Sequence, residues 1–391
     1  MRDFRKLNAL LRSLVVFRDL LNDTVIRRFT DLTACTEDEA FITACAEFEA
    51  ALFSVGDNWS DYLRHAVLHS ENIAVRRRAL NQESAVISES LKRELIILNE
   101  ACLVSLADFD FPSAKLFVAW KNSSADLVKA YEERLKDVAV RGYGMYADYH
   151  VFTFRDGELV PVKYPDPQKL SELPGYEAER RRVIANAEAL LTGEPAVNML
   201  LYGDAGTGKS STIKAIANEY RDQGLRLIEV RRNELYEIPA LLEQLASLPL
   251  KFIVFIDDLS FSSNDDNFAA LKAILEGSVS RQASNTIIAA TSNRRHLVKE
   301  SVSDRFLDDM HENDTRQELL SLSARFGLVV TFQKPDRSRY LYIVEELAKE
   351  YGIDITPQDL QQKAEAFALR AGGRTPRVAR QLIEQLKSGV L

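Results

Sequence analysis

NMLLYGDAGTGKSSTIKAI, from Asn198 to Ile216, is the stretch on which the fold turns. An apolar run, Met199 to Tyr202, stops at Gly203, and Gly208-Lys209-Ser210 completes the pattern G-x-x-x-x-G-K-S. Residues Ser211 to Tyr220 follow with apolar positions at Ile213, Ile216 and Ala217, as on one face of a helix. Strand, glycine loop and helix in that order predict a phosphate-binding loop. Gly203, Gly206 and Gly208 let the backbone bend until consecutive N–H groups point at one anion. The helix N-terminus adds unsatisfied donors and partial positive charge. Lys209 is expected to reach the β- and γ-phosphates of a nucleoside triphosphate, and Ser210 to place its hydroxyl on Mg²⁺. The expected nucleotide-binding set is Gly203, Asp204, Ala205, Gly206, Thr207, Gly208, Lys209, Ser210 and Ser211.

Downstream of this loop, strands and helices alternate. LRLIEV (225–230) reads as a strand, Ile238 to Leu245 as a helix, and KFIVFIDD (251–258) as an apolar strand ending in two carboxylates. Phe268 to Glu276 reads as a helix, NTIIAATSN (285–293) as a further strand, and LVVTFQ (328–333) as the fifth. The alternation predicts the α/β class, a parallel five-stranded sheet with ligand chemistry at the carboxyl ends of its strands. Pro335 closes it, and Ser338 to Tyr351, Thr356 to Ala371 and Pro376 to Lys387 predict a small helical lid.

Upstream, LPGYEAERRRVIANAEALL leads into a helix ending at Gly193. A segment so placed is expected beside the base of a bound nucleotide, which puts Leu173, Gly175 and Tyr176 there. Before it, HVFTF and ELVPV flank Arg155-Asp156-Gly157, a hairpin around a glycine turn, and the prolines of YPDPQ (Tyr164 to Gln168) mark a linker.

Residues 1 to about 141 read as helices, a partner or assembly module without chemistry of its own. Phe4, Leu7, Leu11, Leu14, Phe17 and Leu21 recur at three or four, which predicts one buried helix face. Thr36 before Glu37, Asp38 and Glu39 reads as an N-cap with acid in the first turn, and Ser60 as a further helix start. His65 and His69 share a helical face and offer half of a metal site, but no third ligand has recognisable spacing nearby. They read as structural histidines, and Arg76-Arg77-Arg78 as a solvated face.

Composition bounds the rest. At 391 residues the chain exceeds what one core serves, so two or three units are expected. No apolar run approaches the ~20 residues that cross a bilayer, and Arg12 and Arg18 break the N-terminal apolar stretch, which therefore is no secretory signal. Cys35, Cys45 and Cys102 lack C-x-x-C spacing and read as thiols of a reducing cytosol, so a cytoplasmic protein is expected. A net charge of −8 argues against bulk nucleic-acid binding, which needs a basic face, although a local basic patch stays open.

Two carboxylates after an apolar strand are what a P-loop enzyme needs on a neighbouring strand. Asp257 would hold the metal, directly or through water. Asp258, one residue on, would orient and deprotonate water beside the γ-phosphate. The next strand ends in Thr291-Ser292-Asn293, where a polar side chain, Asn293 by preference, can help hold that water.

Taken together these residues resemble the AAA+ ATPases over about Leu173 to Leu386. GDAGTGKSS resembles their Walker A motif, FIVFIDD Walker B, and TSN sensor 1. RFG (Arg325 to Gly327) is similar to their arginine-finger position, with Arg305 in SDRF as the competing choice. TPRVARQLIE is similar to sensor 2, with Arg377 in the arginine's place and Arg374 competing. More narrowly, LPGYE, DDLSF and SNRRH resemble a bacterial ATP-binding family catalogued only as a domain of unknown function. The resemblance implies ATP and Mg²⁺ as cofactors, ATP hydrolysis, assembly into a ring or partial ring, and catalytic roles for Asp258, Asn293, Arg325 and Arg377. Most AAA+ ATPases carry Glu where this chain has Asp258, which leaves open slow hydrolysis or an ATP-gated binding module. A loader or remodeller of nucleic acid, with Arg294, Arg295 and His296 as contacts, is the other alternative. The expected plan is helical 1–141, hairpin and linker 142–168, ATP-binding 169–334 and lid 335–391.

Overall fold

The computed structural model describes residues 2–80, 82–123, 126–259, 266–275, 284–293 and 324–390. They fall into two compact units, Met1–Asp148 and Tyr149–Leu391.

The first unit is built from helices α1 (Phe4–Arg12), α2 (Thr24–Thr33), α3 (Asp38–Phe53), α4 (Trp59–His69), α5 (Ile73–Ala79), α6 (Ala85–Cys102), α7 (Leu127–Lys136), α8 (Val138–Arg141) and α9 (Met145–Asp148). Its core is aromatic: Phe29 stacks on Trp59 at 4.2 Å, and the indole donates to the Ala101 carbonyl at 2.9 Å. The single helix face expected from Phe4 to Leu21 does not form, because α1 stops at Arg12. The buried carboxylate of Glu94 takes the N–H groups of Val15, Val16 and Phe17 at 2.9, 3.1 and 3.0 Å. That partner lets the chain leave the helix while Leu14 and Phe17 stay buried. Thr36 and Ser60 are not the caps expected of them. Glu37 precedes α3 without a side-chain cap, while Asn58 caps α4 and Ser60 donates to the Cys102 carbonyl.

The second unit carries a seven-stranded sheet in the order β2-β1-β4-β5-β6-β3-β7. The strands are β1 (Val151–Arg155), β2 (Glu158–Pro161), β3 (Met199–Gly203), β4 (Leu225–Val230), β5 (Lys251–Ile256), β6 (Thr286–Asn293) and β7 (Leu328–Phe332). All pairings are parallel except that of β1 with β2. The expected five strands are present, and the hairpin adds two more. Asp156 and Gly157 both adopt positive φ (51° and 79°), the two-residue turn that matches strand twist, and β1 then pairs with β4 in register Val151 to Leu227. β2, with Pro161 at its end, forms the half-exposed edge, where a missing N–H costs no ladder bond. β5 and β6 are buried along almost their whole length, which explains why they read as unbroken apolar runs.

Helices α10 (Glu177–Thr192), α11 (Lys209–Glu219), α12 (Ile238–Ala246) and α13 (Asp266–Leu275) follow strands or lead into them. The lid comprises α14 (Arg337–Glu350), α15 (Pro357–Arg370) and α16 (Pro376–Lys387), with its apolar faces in the same core as the sheet. The Tyr164–Gln168 segment is held down. Asn218 of α11 donates to the carbonyls of Asp166 and Gln168 at 2.7 and 2.9 Å. No helix among the described residues is long and apolar enough to cross a membrane.

Candidate nucleotide site

The site lies at the carboxyl ends of β3, β6 and β5, and strand order decides who meets whom. β6 stands between the P-loop strand and β5, so Asp257 is on the next strand but one, a correction to the neighbouring strand expected from sequence. Gly203 pairs with Asn293 in register, and Tyr202 with Ser292. The end of β6 therefore delivers its polar side chains between the loop and the two carboxylates.

The loop conformation requires its glycines. Gly203, Gly206 and Gly208 have φ of 143°, 76° and 92°, and a Cβ built on Gly203 would run into the Phe332 carbonyl of β7. Gly208 caps α11, whose first residue is Lys209. The Lys209 ammonium is buried and donates to the carbonyls of Gly203 and Asp204 and to Asn293 Oδ1, at 2.9, 2.8 and 3.0 Å. Burial pushes its pKa down, opposed by the carboxylates of Asp204, Asp258 and Asp257.

Asp257 Oδ1 accepts from Ser210 Oγ and from Thr291 Oγ1, both at 2.6 Å. Asp258 has φ of 53°, in the left-handed region that Asp tolerates better than most side chains. Its amide donates to Asp257 Oδ1 and Thr291 Oγ1 at 3.1 and 3.0 Å, which holds that turn. Asn293 Nδ2 donates to Asp258 Oδ1 at 2.7 Å. Lys209, Asn293 and Asp258 thus form one hydrogen-bonded chain, with the asparagine amide using both of its ends.

These groups open into a cleft of about 560 Å³, within the range of small-molecule sites. Leu173 and Tyr176 line it. Tyr176 is buried, with a left-handed φ of 62°, and its hydroxyl donates to the Gln333 carbonyl at 2.6 Å. Gly175, expected near the base, is tightly packed: a Cβ there would come within 2.9 Å of Ile343 on α14, which also lines the cleft. Arg377 lines the cleft, and its amide donates to the Gly206 carbonyl at 3.2 Å, joining lid to loop. Arg374 instead binds Glu365 at 2.6 Å.

Arg325 is half-buried just before β7, whose first residue Leu328 pairs with Met199. It stands at the opposite end of the strands from its own P-loop, which follows Gly203. Arg305, Arg294, Arg295 and His296 lie outside the described residues. Sequence reasoning missed Arg180 and Arg380, which line the cleft from α10 and α16, and gave Thr291 no definite role. Arg380 carried a signal, because it follows Arg377 by three and shares its helical face. Arg180 carried none.

The donor set fits a magnesium nucleoside triphosphate: a glycine loop opening a helix N-terminus, a lysine, and hydroxyl and carboxylate oxygens of the kind a hard cation takes. Fold and site together define an AAA+-type P-loop nucleotide-binding protein. A family model described as "Protein of unknown function (DUF815)" matches residues 147–390, and the chain belongs to that family. It is also similar to the replication factor C large subunit of Staphylothermus marinus, with 31% identity over 122 residues, 29% of this chain and 28% of that protein. The Thermococcus kodakarensis replication factor C large subunit is 40% identical over 70 residues, 17% of this chain and 13% of that one. Among solved structures, the Thermotoga maritima RuvB Holliday junction branch migration motor superposes with a TM-score of 0.37 at 19% identity, covering 57% of this chain and 65% of RuvB. The chain thus spans under a third of the replication factor subunits and under two thirds of RuvB.

Proposed function

We propose that this chain is a Mg²⁺-dependent ATPase that assembles with copies of itself and changes shape with nucleotide state. The observation that carries the reading is the convergence of Ser210, Asp257, Asp258, Asn293 and Lys209 within one hydrogen-bonded cluster. The loop amides from Gly203 to Ser211 hold the phosphates. Ser210 and Asp257, already 2.6 Å apart, hold the metal, which when bound neutralises charge on the phosphate oxygens. Lys209 exchanges one of its carbonyl partners for a phosphate oxygen. Asp258, aimed by Asn293, accepts the proton of the attacking water. Leu173 and Tyr176 bound the base, while Arg377, tied to Gly206, couples the lid to the phosphates. Arg325 acts on the neighbouring protomer, and the helical unit engages a protein partner.

The test separates binding from chemistry. Saturating ATP–Mg²⁺, at a hundredfold its dissociation constant, should stabilise the second unit by about 2.7 kcal/mol. Lys209→Ala should lose that stabilisation, whereas Asp258→Asn should keep it and release no phosphate. An equal ATP-induced rise in Tm in wild type and Lys209→Ala removes the loop from the reading. A wild type that binds but never turns over leaves an ATP-gated binding module, the reading that Asp258 in place of Glu favours. A nucleic-acid remodeller draws support from the local match to replication factor C and would show as ATP-dependent retention on DNA.

A further inference from the structure

His65 and His69 found no third ligand in the sequence, but the fold supplies one from 79 residues further along. Asp148, the last residue of α9, meets them at the end of α4, and one ligand atom from each of the three lies within 4.8 Å of the other two. All three belong to the first unit and take no part in the nucleotide site.

We propose that His65, His69 and Asp148 bind a transition-metal dication of the zinc class. The hydrogen bonding of His69 points to it. Its Nδ1 lies 2.8 Å from the His65 carbonyl oxygen, which can only accept, so Nδ1 carries the hydrogen. In the neutral ring, Nε2 then presents a lone pair, and it faces Asp148 Oδ1 at 3.1 Å. A protonated ring pairs with this carboxylate directly, whereas in the neutral ring the lone pair and the carboxylate converge as two ligands for one cation. Backbone-held Nδ1–H with Nε2 directed at the ligand site is the usual second-shell arrangement of a metal-binding histidine.

The spacing suits such an ion. Bonds of about 2.0–2.2 Å place tetrahedral ligands roughly 3.3–3.5 Å apart. The His69–Asp148 pair is already near that separation, and His65, stacked on His69 at 4.0 Å between ring centroids, closes the remainder by side-chain rotation. Two imidazoles with one carboxylate select zinc-like ions over Mg²⁺ or Ca²⁺, which take oxygen sets. The partial exposure of His69 and Asp148 gives an ion entry. The ion would fasten α4 to α9, closing a long loop with a bond that the chain otherwise makes through one exposed ion pair.

The experiment uses the untagged full chain, stripped by chelator and titrated with Zn²⁺ against a chromogenic competitor. Excess Mg²⁺ keeps Asp257 and Ser210 out of the count. Wild type should take up one equivalent of Zn²⁺. His69→Ala and the isosteric Asp148→Asn should each weaken that uptake more than the ~10–100-fold typical of outer-shell changes. The metal-free Tm of both variants, equal to that of stripped wild type, certifies their fold. Uptake unchanged in both variants overturns the proposal. Loss of uptake in Cys35→Ser, which replaces the half-exposed thiol, overturns it equally by assigning the ion elsewhere.

Discussion

The two units bring polar side chains together in opposite ways. In the P-loop unit they meet because parallel strands end side by side, so register alone sets Gly203 against Asn293 and lines up β5, β6 and β3 beneath one cleft. In the helical unit they meet across long stretches of chain: Glu94 with Val15 to Phe17, Ser60 with Cys102, His69 with Asp148. A sheet repeats its geometry, so motifs at the carboxyl ends of parallel strands come to one edge whatever the strand order. Helix packing has no such repeat, and the partner of a buried carboxylate is known only once the helices are placed.

The largest expected effect tests whether the sheet's register completes the site within one chain. Arg325 stands at the far end of β7 from its own P-loop, so the proposed action on phosphate would be on a neighbouring protomer's. Finger arginines of GTPases contribute roughly 10³ to 10⁵ in rate, and Arg325→Ala should fall by an amount in that range. Mixing Arg325→Ala with Lys209→Ala should restore part of the phosphate release, because some interfaces then pair an intact loop with an intact finger. Arg377→Ala mixed with Lys209→Ala should restore none if, as proposed, the lid arginine serves the loop of its own chain, whose cleft it lines. Full turnover by a monomeric Arg325→Ala protein returns that residue to an ordinary surface role.

Next in size is the loss of a long-range partner in the helical unit. Glu94→Ala strands three buried or half-buried N–H groups, each costing about 1–3 kcal/mol, so the unit should lose about 3 kcal/mol or more. Glu94→Gln, which turns one acceptor into a donor, should fall between. Trp59 and Trp120 are the two tryptophans of the chain, so denaturant unfolding followed by tryptophan fluorescence reports this unit alone. An unaltered midpoint in Glu94→Ala would mean that the kink after α1 is held by apolar packing of Leu14 and Phe17, not by the carboxylate.

The same contrast explains what could be read from the chain. The P-loop, the strand carrying Asp257 and Asp258, and the three lid helices were legible because glycine geometry, buried-strand runs and N-caps are local. Thr375, which caps α16 by accepting from the Val378 amide, is an example. The hairpin was legible as a hairpin, but its pairing with β4 was not, since nothing in HVFTF names its parallel neighbour. Strand order was also hidden, so Asp257 was expected one strand too close to the loop. Gly175 was legible as important, but its packing was not: its neighbour Ile343, which also lines the cleft, lies on lid helix α14. Arg180 was unreadable because its place in the cleft depends on where α10 lies against the sheet.

The smallest effect asks whether neighbouring lid arginines divide their work as their contacts do. Arg374 donates to Glu365 through Nε and Nη2 at 3.2 and 2.6 Å, and Arg337 reaches the same carboxylate at 3.1 Å. The Arg374 hydrogen bond holds the Glu365 carboxyl below its ordinary range, assisted by the charges of Arg374 and Arg337 and opposed by slight burial. A depressed carboxyl contributes stability that is complete above the unfolded-state pKa and is lost as pH falls through the folded-state value. Arg374→Ala should therefore lower Tm slightly at neutral pH, and the gap to wild type should close under acid as Glu365 protonates in both proteins. High salt should shrink it as well, because the pair is only partly buried. Its turnover should match wild type while Arg377→Ala loses activity, since of the two only Arg377 lines the cleft. A pH-independent gap assigns the loss to packing of the Arg374 side chain, and lost turnover in Arg374→Ala moves the lid's coupling to the residue before the α16 cap, Thr375.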